Sequence, residues 1–209
     1  MDFALSHGSQ PHAAEHEEDS RALVARVSAG DVDAMATFFD VHAAMVERIL
    51  SRILGRDTEL ADLLQDVFVR ALDGIGRLND PRLLRPWVAG IAVTTARETI
   101  RRRARRKWLR LVPGYALPDV AIPPADSEAR EAVRRAYAIL DALGSDDRIA
   151  FCLRNIEGME LADVARACGT SVSTVKRRLQ RAEQRFVALA RREPTLGSWL
   201  EEGARWTPN

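Results

Sequence analysis

LADVARACGTSVSTVKRRLQRAEQRFVAL, residues 161–189, is the stretch whose reading decides the fold of this chain. Leu161-Ala162-Asp163-Val164-Ala165 has the make-up of a short helix. Cys168-Gly169-Thr170 predicts a turn, because Gly169 can take the left-handed conformation that a tight reversal needs. Ser171 is placed to cap the helix that follows. There Val172, Val175, Leu179, Ala182, Phe186 and Leu189 recur at three- and four-residue steps and form one apolar stripe. The stripe pins one face to the preceding helix and leaves Ser173, Thr174, Lys176, Arg177, Gln180 and Arg181 outward. The pattern is that of a helix-turn-helix, in which the second helix enters the major groove of DNA by its N-terminal half. Lys and Arg donors meet guanine there, Gln pairs with adenine, and Ser or Thr near the helix start bonds phosphate.

Working outward, Ile149, Phe151, Leu153 and Ile156 predict a helix that ends near Glu157-Gly158, and helical spacing reaches back to Ser127. Residues 111–126 hold four of the nine prolines and no periodicity, which reads as a semi-extended linker. Upstream, Ser20 is an expected N-cap before Leu23, Val24 and Val27, with a stop at Gly30. Asp31 opens a longer run in which Met35, Phe38, Phe39, His42, Val46, Ile49, Ile53 and Leu54 share a face until Gly55, and His42 on that face reads as a core histidine. Asp57 or Thr58 is expected to cap the next helix, which runs to about Ile75. A loop over residues 76–85 precedes a helix started by Pro86. No window alternates as a strand. The expected fold is all-α: two small helical domains, 20–110 and 127–192, joined by the linker 111–126. A flexible acidic leader (1–19) and a tail (193–209) flank them.

The formal net charge of +1 hides a strong asymmetry. Residues 97–110 carry eight basic side chains and one acid, residues 172–192 carry seven and one, and the rest of the chain is therefore at −12. Two concentrated cationic segments on an acidic remainder suit a polyanion at two places and a different partner elsewhere.

That different place is the helix before the loop. At ~100° per residue, Leu60, Leu64, Val67, Phe68, Ala71 and Ile75 gather on its core side. Asp62, Gln65, Asp66, Val69 and Asp73 gather on the other. An acidic arc with an apolar centre, held rigid from behind, is suited to docking on a basic protein surface.

Other classes are disfavoured. No stretch reaches the roughly 20 apolar residues of a membrane span, and the N-terminus lacks a signal-peptide pattern, so a cytoplasmic protein without membrane insertion is expected. Cys152 and Cys168 make no disulfide framework, and neither has a Cys or His at zinc spacing, so no metal and no cofactor are expected. Asp62 and Asp66 lack a third ligand, which argues against an enzyme on nucleic acid.

Together the two halves resemble the sigma factors of bacterial RNA polymerase, in particular the compact extracytoplasmic-function (ECF) group. The first half resembles the group's pattern at Asp62-Leu63-Leu64-Gln65-Asp66-Val67-Phe68, at Trp87-Val88-Ala89-Gly90-Ile91-Ala92 and at Ile100-Arg101-Arg102. The second does so at Asp141-Ala142-Leu143, Ile156-Glu157-Gly158, Ser173-Thr174-Val175-Lys176 and Leu179-Gln180-Arg181-Ala182. The resemblance implies that Asp62, Gln65, Asp66 and Val69 dock on core RNA polymerase. It implies that Asn79 and Asp80 lie where a flipped base of the melted downstream promoter element is captured, with Arg97, Arg101, Arg102, Arg103 and Arg105 on adjoining DNA. Ser173, Thr174, Lys176, Arg177, Gln180 and Arg181 would read the upstream, minus thirty-five element. Promoter DNA, core polymerase and an anti-sigma factor are the implied partners. Trp87 is expected to support the loop from the core, with stacking on a base as the alternative, and Asp119 and Asp126 of the linker to mimic nucleic-acid charge.

The chain departs from the group's pattern at Ala61, at Val93-Thr94, at Glu98 and at Gly144-Ser145, where a proline is usual. The competing reading, a helix-turn-helix regulator whose first domain dimerises or senses a ligand, stays open on sequence alone.

Overall fold

Asp31 and Gly55 bracket the helix around which the first lobe is built. In a computed structural model that describes residues 11–55, 57–109, 127–193 and 196, the Asp31 carboxylate accepts the Ala34 N–H at 3.1 Å and starts α2 (Val32–Leu54). Gly55, at φ 82°, ends it. Phe38, Val46, Ile49, Leu50 and Ile53 repeat on its inner face and are fully buried. Against them pack α3 (Leu60–Gly74) and α4 (Leu84–Leu109). The inner face of α4 is small-sided (Val88, Ala89, Ala92, Val93, Ala96), which lets three helices close on one another. His42 is buried with its ring edge-on to Phe38 at 5.0 Å, a core histidine as its position predicts. Burial holds its pKa below the usual 6.5, with a smaller contribution from Arg85.

The first lobe differs from expectation at three points. The helix expected to open at Ser20 is α1 (Pro11–Ser28), so Ser20 is interior and residues 11–19 are helical; Pro11, with no N–H to leave unpaired, suits a helix start. Leu63 is 3% exposed and joins the core side of α3. Phe39 is 42% exposed and lies tilted on Phe68 at 4.5 Å, at the edge of the core. The α3 start is tied down by Asp57, whose carboxylate accepts the Glu59 N–H at 2.9 Å, while Glu59 itself makes no side-chain cap.

The second lobe is formed by α5 (Ser127–Asp141), α6 (Ser145–Phe151), α7 (Leu161–Ala167) and α8 (Val172–Ala190). Past Phe151 the helix continues over Cys152–Ile156 in the wider π form. Glu157 N–H donates to the Cys152 carbonyl five residues back at 2.9 Å. Phe151 and Phe186 stack at 5.0 Å and 23°, fastening α6 to α8.

The lobes do not sit apart. Their buried side chains form one continuous core cluster, with α4 against α6 and α7, and α2 against the π segment. The seam is held by the C-terminus of α2, where the Ser51 carbonyl accepts the capping Gly55 N–H at 2.9 Å and the carbonyls after it have no partner within the helix. The buried Arg148 guanidinium donates Nε–H to the Ile53 carbonyl at 2.8 Å and pairs with Asp141. Tyr137 OH donates to the Ser51 and Arg52 carbonyls at 3.3 and 3.2 Å, and its burial pushes its pKa up to about 12. Its ring closes on Gly55, where a Cβ would come within 3.1 Å. The linker 111–126, with Asp119 and Asp126, and Trp199 and Trp206 of the tail lie outside the described residues.

Candidate nucleic-acid interface

Gly169, at φ 60°, turns the chain from α7 into α8, and Ser171 caps α8 by accepting the Thr174 N–H at 3.3 Å. Both roles are those the sequence assigns them. The Ser171 hydroxyl also lies 2.9 Å from the Ser173 hydroxyl and 3.0 Å from that of Thr174, a small polar cluster at the helix start. Val175, Leu179, Ala182 and Phe186 are buried, so the angle of α8 is fixed from behind. Lys176, Arg177 and Gln180 are exposed on the other face, and among the described residues none of the three has an intrachain polar partner. Arg181, also exposed, is held by Asp147 in a fork, Nε to Oδ2 at 3.1 Å and Nη2 to Oδ1 at 2.7 Å, which raises its pKa. Arg178, the one basic residue in this run that faces partly inward, donates Nη2–H to Asp146 at 2.9 Å.

The basic part of α4 is organised differently. Arg101 and Arg105 are exposed without an intrachain partner among the described residues. Arg102 reaches Glu59 at 3.7 Å. Arg103 donates to Glu59 at 2.8 Å and pairs with Asp57; burial works against its charge, but the two carboxylates outweigh that and raise its pKa. Arg97 donates Nε–H to Asp146 at 2.8 Å across the seam.

In the loop between α3 and α4, Asp80 caps a one-turn 3-10 helix over Pro81–Leu83. Its carboxylate accepts the Arg82 N–H at 3.1 Å and the Arg82 guanidinium at 3.0 Å, which holds its pKa below the usual carboxylate range. Asn79 is exposed beside it, and α1 packs against the loop. Trp87 is half-buried against Gly74 at the end of α3. It also lines a cleft of about 630 Å³ between the lobes, with Arg70, Arg77, Arg97 and Arg166 around it.

On α3, Asp62, Gln65, Asp66 and Val69 are exposed together, Val69 by 51%, while Leu63, Val67, Phe68 and Ala71 are buried. The acidic arc thus lies on a rigid support. Among the described residues no group of three or more His, Cys, Asp or Glu is placed to hold a metal ion, and no helix is long and apolar enough to cross a membrane.

Sequence reasoning missed Asp146, Asp147, Arg148, Tyr137 and Glu157, the side chains that tie the lobes together or hold the basic residues of α8.

Comparison with known proteins bears on both lobes. Residues 38–106 match the family model "Sigma-70 region 2" and residues 134–186 match "Sigma-70, region 4". The ECF RNA polymerase sigma factor SigM of Mycobacterium tuberculosis is 31% identical over 175 residues, covering 83% of this chain and 86% of that protein. The ECF RNA polymerase sigma-E factor of Haemophilus influenzae is 27% identical over 173 residues, covering 78% of this chain and 91% of that one. Two solved structures share the fold at 22% identity. One is CnrH in complex with the cytosolic domain of CnrY, with a TM-score of 0.58 over 83% of this chain and 98% of that one. The other is the sigma factor RpoE in complex with the anti-sigma factor NepR from Bartonella quintana, with a TM-score of 0.57 over 78% and 99%.

Proposed function

The chain belongs to the sigma-70 family, in the ECF group of RNA polymerase sigma factors, and from that premise we propose how its two lobes divide the work of promoter-specific initiation. The first lobe, expected over 20–110 and opened by α1 from Pro11, binds core polymerase and the melted downstream element. Residues 127–192 form the lobe that reads the upstream element, and 111–126 tether the two. Asp62, Gln65, Asp66 and Val69 dock on polymerase through a basic surface of that enzyme. Lys176, Arg177 and Gln180 face base edges and phosphates in the major groove, Arg181 joins them by exchanging Asp147 for DNA, and Ser173 and Thr174 at the helix start take phosphate.

In the first lobe, Asn79 takes the flipped base. Asp80 is a positioning residue, because its carboxylate is used to shape the loop through Arg82. Arg101 and Arg105 grip phosphate directly. Arg97, Arg102 and Arg103 reach DNA only by exchanging a carboxylate partner for a phosphate.

Melting loses about 1.4 kcal/mol of stacking per base-pair step. A base held in a pocket and a strand held on a basic helix offset part of that loss. Two weak contacts carried on one polymerase gain effective concentration and so selectivity. Bond-making stays with the polymerase, so the chain acts by binding alone, in the cytoplasm where polymerase works. An anti-sigma partner is also proposed, since RpoE of Bartonella quintana was solved bound to one.

The observation that supports this reading over a ligand-sensing regulator is the region 2 match over 38–106, in the lobe that a regulator would use otherwise. Asp66→Arg tests it. The variant should fold normally yet fail to co-elute with core polymerase, whereas undiminished co-elution would return the regulator reading.

A further inference from the structure

Asp146 stands on the seam with a guanidinium on each side. Its Oδ1 accepts from Arg97 of α4 at 2.8 Å and its Oδ2 from Arg178 of α8 at 2.9 Å. The three side chains are only 30%, 19% and 18% exposed in turn, so water screens this node far less than a surface pair. A second pairing, Glu157 with Arg48 and with Arg52 at 4.0 Å, crosses the same seam further along α2.

We propose that Asp146 is an internal stand-in for promoter phosphate: it occupies Arg97 while the lobes are packed, and the parting of the lobes is what hands Arg97 to DNA. The inference rests on the assignment of Arg97 to DNA under the proposed function. A carboxylate offers a guanidinium the same paired oxygen acceptors as a phosphodiester. One guanidinium face cannot serve both, so DNA on Arg97 favours parting, and parting favours DNA by the same factor. When the lobes part, Asp146 keeps Arg178, which stays neutralised and in place behind the reading face of α8.

Removing the negative charge acts in a direction that simple damage would not. Asp146→Asn leaves Arg97 and Arg178 facing one another without the charge between them. The lobes are then pushed apart, and DNA binding rises, whereas loss of structure would lower it.

The test uses the full-length chain without polymerase, with small-angle scattering for compactness. The DNA probe is a mixed-sequence duplex with a single-stranded overhang at about 50 mM salt. Asp146→Asn should enlarge the radius of gyration and bind the probe about fivefold more tightly. Glu131→Gln, which removes the Glu131 pairing with Arg134 and Arg135 on the surface of α5, should do neither. Arg97→Ala leaves α6 untouched and should open the chain with no gain in DNA binding, so it decides the matter should Asp146→Asn fail to fold. Asp146→Asn or Arg97→Ala chains as compact as the wild type would overturn the proposal. So would an open Asp146→Asn chain that binds the probe no better. Promoter-directed transcription by the wild-type chain with core polymerase, run alongside, separates the causes. If it is present while the variants stay compact, only the latch fails; if it is absent, the sigma reading fails as well.

Discussion

In α4 the arginines at 97, 102 and 103 face carboxylates of their own chain, whereas in α8 Lys176 and Arg177 face solvent and only Arg178 and Arg181 are held from behind. The two segments are almost equally basic, yet they use that charge differently. In α4 much of it closes the fold, binding the start of α3 through Asp57 and Glu59 and the second lobe through Asp146. In α8 the fold is closed by apolar side chains, which leaves the leading cations available for a ligand. Charge density therefore locates a polyanion site only together with what each cation already touches.

The strongest way to break that contrast is to remove the apolar anchor. Phe186→Ala should cost about 3–5 kcal/mol of stability, because Phe186 is buried and stacked on Phe151. Urea unfolding would read it, and upstream-element binding should fall with it although no cation has changed. A loss under about 1 kcal/mol would mean that α8 is not held by its stripe.

Exchanging the question between the helices sharpens it. Arg103→Ala should lower stability by about 1–2 kcal/mol, a figure kept modest because solvent reaches the pair. Arg177→Ala should leave stability within about 0.5 kcal/mol. It should instead weaken binding on every sequence and reduce the log–log salt slope by about 0.9. The reverse result, a stable Arg103→Ala chain and an unstable Arg177→Ala chain, would dissolve the distinction between the helices.

The smallest effect concerns the core of the first lobe. His42 has its folded pKa held below 6.5, so the unfolded chain takes up the proton first as acid is added. Stability is then full above pH 6.5 and falls as pH drops from 6.5 toward the lower folded value. His42→Leu should flatten that part of the stability–pH curve, and an unchanged slope would show that another group titrates there.

What was legible in the sequence was local. Asp31, Gly30, Gly55, Gly169 and Ser171 mark helix ends through chemistry within three or four residues of themselves, and each does so in the structure. The outward arc of α3 followed from a single periodicity. Leu63 was missed because leucines at 60, 63 and 64 leave the apolar arc wide. The π segment over Cys152–Ile156 was missed because five residues cannot separate its period from that of an α-helix.

The seam was illegible for another reason. Arg148 meets Ile53 across 95 residues, Glu157 meets Arg48 across 109, and Asp146 meets Arg97 across 49. No local pattern marks such partners, and an aspartate pair at a helix start reads equally well as ordinary helix chemistry. Of the candidate site, the outward direction of Asp62, Gln65, Asp66, Lys176, Arg177 and Gln180 was visible beforehand, whereas the carboxylates that already hold Arg97, Arg103 and Arg181 appeared only once the helices were packed.

The most direct measurement is transcription in vitro from a mixed library of bacterial promoter fragments, using core polymerase with the purified chain and mapping the 5′ ends of the products. The account predicts a one-to-one complex whose transcripts begin at a restricted set of positions sharing an upstream sequence. Transcripts that begin where core polymerase alone begins them, or a chain that never joins the enzyme, would contradict it.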